Sequence, residues 1–461
     1  MDLVNKKNKL LQNKKGLNGG LFYFRPMNSI QNIYSAFLKS TGVNTDTRTL
    51  KAGQMFFALK GEHFNGNDFA IKALEEGCTC VIADEERTEF KSETDIIVVE
   101  SALKTLQQLA HYHRIHLKIP VIGLTGSNGK TTSKELLKAA LSKHYNCYAT
   151  KGNLNNHIGV PLSVLEINEN HEIAVIEMGA NHQKEIELLC SIATPDSGFI
   201  TNIGLAHLEG FGGEEGVFKG KKELFDFLSE NGSTIFVNED DPKVVRAASN
   251  LKSIGYGKSS TAIYQGNFEL NNKGLKVSWW RNNNKQQVQE IQTNLTGSYN
   301  FSNVLSAVAI ARYYGVSPEK IKAGIEEYIP MNNRSQVIKT ELGNTVIVDC
   351  YNANPSSMIA ALENVELRTE SRKILILGDM LEIGDLSESK HQEILDRANE
   401  MINTKTILVG PEFGKVSKEK KSHFEKTELL KAFISDNPIA NSLVLLKGSR
   451  KMKLEQLLEL L

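Results

Sequence analysis

From residue 121 the chain reads Val121-Ile122-Gly123-Leu124-Thr125 and then Gly126-Ser127-Asn128-Gly129-Lys130-Thr131-Thr132. An apolar strand running into a glycine-rich turn with a lysine and two threonines has the makings of a phosphate-binding loop. Glycine lets successive backbone N–H groups turn onto phosphate oxygens, and a helix starting there directs its positive end at them. Lys130 would add a point charge near the terminal phosphates, and Thr131 a hydroxyl for Mg²⁺. The first glycine of the longer, common spacing would fall at Leu124, so this is a shorter variant, Gly126-x-x-Gly129-Lys130-Thr131. Such a loop points to ATP or GTP and suits a kinase, a GTPase, a motor or a ligase.

A second group belongs beside it. Glu177 closes the apolar run 174–177, which reads as a strand ending at the edge where the loop emerges. A carboxylate there is a hard oxygen ligand for Mg²⁺. A GTPase switch would also need Asn-Lys-x-Asp to read its base. Asn5-Lys6, Asn8-Lys9, Asn13-Lys14, Asn272-Lys273 and Asn284-Lys285 all lack that Asp. His111, His113 and His116 are too irregularly placed for a metal cluster.

These groups need a frame. The chain has 461 residues, too many for one core, so several domains are expected. Short apolar runs at 54–59, 80–83 and 96–99 read as strands, 68–76 as a helix stopped by Gly77, and Ser101 as the N-cap of a helix ending near His113. Strands at 121–125, 174–177, 198–201 and 234–237, with an amphipathic helix from Lys134 to Lys143, indicate a central α/β nucleotide-binding unit. Residues 264–296, around Val277-Ser278-Trp279-Trp280, suggest a β-rich excursion. Further strands at 346–348, 374–377, 407–409 and 443–446, separated by helical segments, predict a doubly wound sheet. The fold class is therefore α/β in three domains: a small mixed α/β unit (28–115), a central P-loop unit (116–330) and a C-terminal Rossmann-like unit (331–461). Pro330-Met331-Asn332-Asn333 reads as a hinge.

Composition narrows the class. Lys+Arg and Asp+Glu both number 54, which argues against a nucleic-acid binder while leaving room for a local basic pocket. No apolar run reaches the length of a membrane span. Cys78 and Cys80 fall one residue short of a C-x-x-C pair; with Cys147, Cys190 and Cys350 they read as buried free thiols of a cytoplasmic protein. Lys6, Lys7, Lys9, Lys14 and Lys15 precede only Leu21-Phe22-Tyr23-Phe24, too short an apolar stretch for a signal peptide, so 1–27 reads as an N-terminal extension.

Further stretches resemble the Mur ligase family, whose loop has this variant form. They are Gly152–Pro161, Glu177–His182, Asn202–Glu209, Gly297–Asn303, Asp349–Pro355, Leu377–Glu382 and Lys447–Arg450. The likeness covers roughly residues 28–461 in matching order. Asn-Leu-Asn-Asn, Glu-Met-Gly-Ala-Asn and Tyr-Asn-Ala-Asn-Pro resemble the branch that joins D-alanyl-D-alanine to UDP-N-acetylmuramoyl-tripeptide. The resemblance implies an ATP- and Mg²⁺-dependent ligase that phosphorylates the peptide carboxylate and lets the dipeptide amine attack the acyl phosphate. Its siblings and folylpolyglutamate synthase are the rivals inside the family, and a P-loop regulatory NTPase is the rival outside it. A monomer in the cytoplasm is expected.

The resemblance also implies roles. His207 would serve a second metal. Asn300 and Asn303 would lie near adenine, although amides opening a helix also read as N-caps. Arg334 would contact the ATP phosphates, and Asp349, Tyr351, Asn352 and Asn354 would line the cleft between the second and third domains. Thr47 and Arg48 match the UDP-binding stretch, and Asn153, Asn155 and Asn156 would face the muramoyl peptide. Lys221 would be carbamylated, giving the second metal an anionic oxygen. That register aligns Glu223 and puts Lys222 where relatives carry glycine, with Lys219 the neighbouring choice. Without the resemblance, Lys219, Lys221 and Lys222 read as an exposed basic cluster on a helix.

Overall fold

The computed structural model describes residues 29–461 except 272, 283, 332 and 419. The reading of 1–27 as an extension lies outside the described residues, as does Asn332 of the hinge. The larger strands form three sheets.

The first sheet is all parallel, in the order Val43–Asn44, Met55–Phe57, Cys80–Ala83, Ile96–Val98. Its central strands are fully buried, as expected for a parallel sheet covered on both faces. The expected helix at 68–76 is a 3₁₀ turn, Gly66–Phe69, leading into a helix, Ala70–Glu75. The 3₁₀ segment starts because the Asn65 side chain accepts the Asn67 N–H. Ser101 caps the next helix through Lys104 N–H, as predicted, but that helix runs to His116. It packs on the second unit's Gly159–Leu165 and Glu185–Ala193 helices. Buried Arg114 donates to the carbonyls of Ala193 and Thr194 and to Asp196, at 2.9, 3.0 and 2.7 Å.

The second sheet has nine strands, with Val121–Thr125 between Ser197–Ile200 and Ile173–Glu177. The chain passes from Val121–Thr125 to Cys147–Ala149 on one side. It returns through Ile173–Glu177 and crosses to Ser197–Ile200 on the other. This reversal is a topological switch point, where open α/β sheets bind ligands beyond the strands' carboxyl ends. The excursion at 264–296 is an antiparallel edge of the same sheet: Tyr264–Asn271 pairs with Gly274–Arg281, which pairs with Gln289–Gln292. The third sheet is parallel except for Gln336–Lys339, which runs antiparallel to Thr345–Asp349 at one edge.

The helix after the phosphate loop begins at Lys130, not at Lys134. Its first turn, Lys-Thr-Thr-Ser, carries no apolar period to read. Lys134 is itself fully buried, its ammonium donating to the Thr150 carbonyl at 2.6 Å. The nearly all-buried Asn300–Tyr313 helix lies against it.

Candidate active site

The strand Val121–Thr125 delivers the loop to the switch point, and two glycines shape it. Gly126 has φ 151°, and a Cβ there would lie 1.9 Å from Thr201 Oγ1. Gly129 has φ 77° and starts the Lys130–Leu141 helix with no side-chain cap. Uncapped N–H groups at a helix start suit an anion. The turn after Ile200 braces the loop: Asn202 accepts Asn128 N–H through Oδ1 and donates to the Asn128 carbonyl, while Ser127 Oγ bonds both Gly204 N–H and Gly204 O.

A cavity of about 640 Å³ opens between this loop and the third sheet. It gathers Ser127, Asn128, Gly129, Lys130, Thr131, Thr132, Asn153, Asn155, Asn156, Glu177, His207, Asn300, Asn303, Arg334, Asp349, Tyr351, Asn352 and Asn354. Gly126 and Lys221 lie outside its lining, as do Thr47 and Arg48 on the first unit. Arg48 is exposed and paired with Asp46 at 2.6 Å.

Lys130 folds back on its own loop, donating to Gly126 O at 2.6 Å and Ser127 O at 3.2 Å. The residue is half-buried in the cavity wall. Burial pushes its pKa down to about 8, with Glu177 opposing and Arg334 adding to the shift. Glu177 is 1% exposed. Its Oε1 accepts from Asn155 at 2.8 Å and Thr131 at 3.2 Å, while buried Oε2 has no partner. An unpartnered buried carboxylate oxygen beside a threonine hydroxyl fits a hard divalent cation. Among the described residues no three of His, Cys, Asp and Glu form a metal cluster by themselves. Any metal here must draw other ligands.

His207 has φ 52°, and its Nδ1 stands 2.6 Å from Glu382 Oε2, off the line an N–H bond needs. Lys221 is 1% exposed on the Glu214–Glu230 helix, whereas Lys219 is exposed and Lys222 half-buried. The expected basic cluster is thus not one surface. The Lys221 ammonium donates to the Ala180 carbonyl at 3.3 Å and stands 5.1 Å from the Phe211 ring centroid. Burial, reinforced by Lys130, pushes its pKa far down.

Asn300 and Asn303 do not cap their helix; its N-cap is Tyr299. Asn300 donates to Thr296 O, Asn303 donates to Asn300 Oδ1, and Ser133 donates to Asn303 Oδ1. The amides tie the helix to the one that follows the phosphate loop. From the third unit, the Arg334 guanidinium lies 3.8 Å from the Tyr351 ring centroid. Asp349 pairs with buried Lys447 at 2.9 Å, and Lys447 also donates to Asn352 O. Asn354 caps the Pro355–Glu366 helix through Ser357 N–H and donates to Asn128 Oδ1.

Sequence reasoning assigned no role to Glu382, Lys447, Ser356 or Asn202, all of which line the cavity. Glu382, Lys447 and Asn202 lay in motifs already quoted. Nothing in the local pattern marked Ser356.

Three family models match the chain: the Mur ligase family catalytic domain over 39–121, the Mur ligase middle domain over 124–311, and the Mur ligase glutamate ligase domain over 333–450. The UDP-N-acetylmuramoyl-tripeptide--D-alanyl-D-alanine ligase of Bacillus subtilis is 37% identical over 432 residues, covering 91% of this chain and 92% of that protein. The Escherichia coli enzyme of the same name is 33% identical over 429 residues, covering 91% and 93%. Among solved structures, MurF from Acinetobacter baumannii superposes with a TM-score of 0.82 at 29% identity, covering 93% of this chain and 97% of that one. MurF ligase from Thermotoga maritima in complex with ADP gives 0.81 at 26%, covering 92% and 97%.

Proposed function

The chain belongs to the Mur ligase family, and from that premise we propose that it joins D-alanyl-D-alanine to UDP-N-acetylmuramoyl-tripeptide. ATP is consumed to ADP and the product is the UDP-muramoyl-pentapeptide precursor of peptidoglycan. One observation carries the reading: a phosphate loop, a buried carboxylate with a free oxygen, and a cationic third-unit wall meet in one cavity.

The chemistry follows from charge. A carboxylate is a poor electrophile, so it is activated as an acyl phosphate before the dipeptide amine attacks. The reactants are mostly anions, so positioning and charge neutralisation carry the catalysis. In this reading the backbone of Gly126–Gly129 and the ammonium of Lys130 hold the nucleotide phosphates, and Arg334 adds a guanidinium from the third unit. Thr131 and Glu177 would hold Mg²⁺, which supplies a Lewis acid at the transferring phosphoryl group. His207 and a carbamylated Lys221 would serve a second metal. Burial supports Lys221 over Lys219, because only a neutral amine reacts with CO₂.

Asn300 and Asn303 fix the wall beside which the nucleoside would lie. Asn153, Asn155 and Asn156 would receive the muramoyl peptide, and Thr47 and Arg48 its UDP end. Tyr351, Asn352 and Asn354 would form the dipeptide side of the cleft, with Asp349 held by Lys447. With the division at 28–115, 116–330 and 331–461, the UDP substrate would span the first two units, ATP would bind the second and the dipeptide the third. No described helix is long and apolar enough to cross a membrane, and the nucleotide substrates support a cytoplasmic site. Incubation with ATP, the UDP-tripeptide and D-alanyl-D-alanine should yield the pentapeptide mass; no product with all three present would refute the reading.

A further inference from the structure

Outside the reacting groups, the third unit buries one imidazole completely. His391, on the Ser387–Asn399 helix, is 0% exposed. Its Nδ1 meets Ser387 O at 2.7 Å, and its Nε2 meets the backbone N of Met380 at 3.0 Å. A carbonyl only accepts and an N–H only donates. The ring is therefore the neutral tautomer with its proton on Nδ1 and its Nε2 lone pair on Met380. Burial agrees, pushing the imidazole pKa down against the pull of Ser387 and Asp379. A core needing only volume would carry an apolar side chain, since an unpaired polar atom there is costly. Here both nitrogens are used.

The N–H that His391 receives belongs to a turn held at every residue. Asp379 N–H donates to Val409 O, Met380 N–H to His391, and Leu381 N–H to Ser449 Oγ. The Asp379 carboxylate accepts Glu412 N–H and Phe413 N–H. The next residue is Glu382, with φ 65°, and Gly384 follows with φ 64°. Glycine takes that conformation freely, but at Glu382 the left-handed backbone must be held by its surroundings. Glu382 then reaches out of the third unit to His207 of the second, and both line the cavity.

We propose that His391 is a positioning residue for ligation: with Ser449 it clamps the 379–381 turn and so aims Glu382 across the cleft at His207. The proposal rests on reading this cavity as the ligase centre. Its consequence is specific. Loss of the Nε2 acceptor frees the Met380 N–H and lets Glu382 leave its station. The wall supplied by the third unit then loosens, while the surfaces for the UDP substrate on the other units stay as they were.

The test compares His391→Leu, which keeps volume without an acceptor, with His391→Gln, which restores an oxygen within reach of Met380 N–H. Ser449→Ala is the milder partner. Amide hydrogen exchange across 379–382 is measured beside steady-state kinetics with ATP, UDP-muramoyl tripeptide and D-alanyl-D-alanine. In His391→Leu, exchange at Met380 should rise at least about tenfold, and kcat should fall about tenfold with KM for the UDP substrate unchanged within about twofold. His391→Gln should recover most of both, and Glu382→Gln should add little to His391→Leu. Wild-type kcat in His391→Leu, equal damage in His391→Gln, or a multiplicative loss with Glu382→Gln would overturn the proposal. If His391→Leu fails to fold, Ser449→Ala must show faster exchange at Leu381 and a smaller fall in kcat; no change in either would overturn it. A wild-type chain that ligates nothing refutes the function, whereas the exchange pattern still judges the clamp.

Discussion

The carboxamides of Asn128 and Asn354 meet at 2.7 Å, one from the phosphate loop and the other from the N-cap of the third unit's Pro355–Glu366 helix. Ser356 closes the ring: its hydroxyl accepts from Asn128 Nδ2 and donates to Asn354 Oδ1, both at 2.9 Å. The loop's Asn128 side chain thus senses where the third unit sits, while the Ser127 and Asn128 N–H groups are held by Asn202. Asn354→Asp keeps a capping oxygen but sets oxygen against oxygen at Asn128. We expect an unfolding midpoint within a few degrees of wild type and a kcat about tenfold lower, roughly 1.4 kcal/mol. Unchanged kcat would show that the ring does not hold the units in their working arrangement.

In the proposed reading, Lys130 and Glu177 would supply charge to ligands rather than packing to the core. Lys130→Ala and Glu177→Gln should each lower turnover at least about a hundredfold, or about 2.7 kcal/mol of transition-state stabilisation, without unfolding the chain. Chelation of divalent cations should abolish ADP release, and added Mg²⁺ should restore it. Near-wild-type turnover in either variant would move the site elsewhere.

Stability should fall in mild acid. His113 is buried, with Nε2 on Ile167 O at 2.7 Å and Nδ1 near the Tyr34 hydroxyl, and burial lowers its pKa. His391 is lowered in the same way. A depressed histidine binds fewer protons folded than unfolded, so its contribution is complete above about pH 6.5 and is lost as pH falls toward the folded pKa. Urea midpoints should drop between about pH 7.5 and 5.5, and His113→Gln should drop less than wild type over that range. An equal or larger drop in the variant would contradict the assignment.

The buried Lys221 amine should carry a carboxyl group in the active enzyme. Nitrogen of the neutral amine adds to the carbon of CO₂, a proton leaves, and the ammonium's repulsion of a metal becomes an anionic oxygen's attraction. Lys221→Ala should lose activity and regain part of it with acetate, and gentle mass analysis should find the added group on the wild type. Full activity in unrescued Lys221→Ala would reject this, and loss only in Lys219→Ala would shift the register.

The glycine-rich turn between strand and helix was legible in the sequence because its residues are contiguous: glycines, lysine and threonine directly follow a strand. Glu177 was legible for the same reason, as a carboxylate at a strand end. What could not be read is what meets across the cleft. Asn128 and Ser356 lie 228 positions apart, and no local pattern couples them. The Lys130 helix start was missed because a left-handed glycine replaces a capping side chain. The N-cap reading of Asn300 and Asn303 fails because Tyr299 is the N-cap and their hydrogen bonds run to Thr296 and Ser133, partners no local pattern marks.

The central claim is the choice of acceptor. The most direct measurement is ADP release with ATP and UDP-muramoyl tripeptide, across acceptors including D-alanyl-D-alanine, D-alanine, L-lysine, meso-diaminopimelate and glutamate. The account predicts turnover with D-alanyl-D-alanine, little with any single amino acid, and none without the UDP substrate. Robust turnover with a single amino acid, and none with the dipeptide, would contradict it.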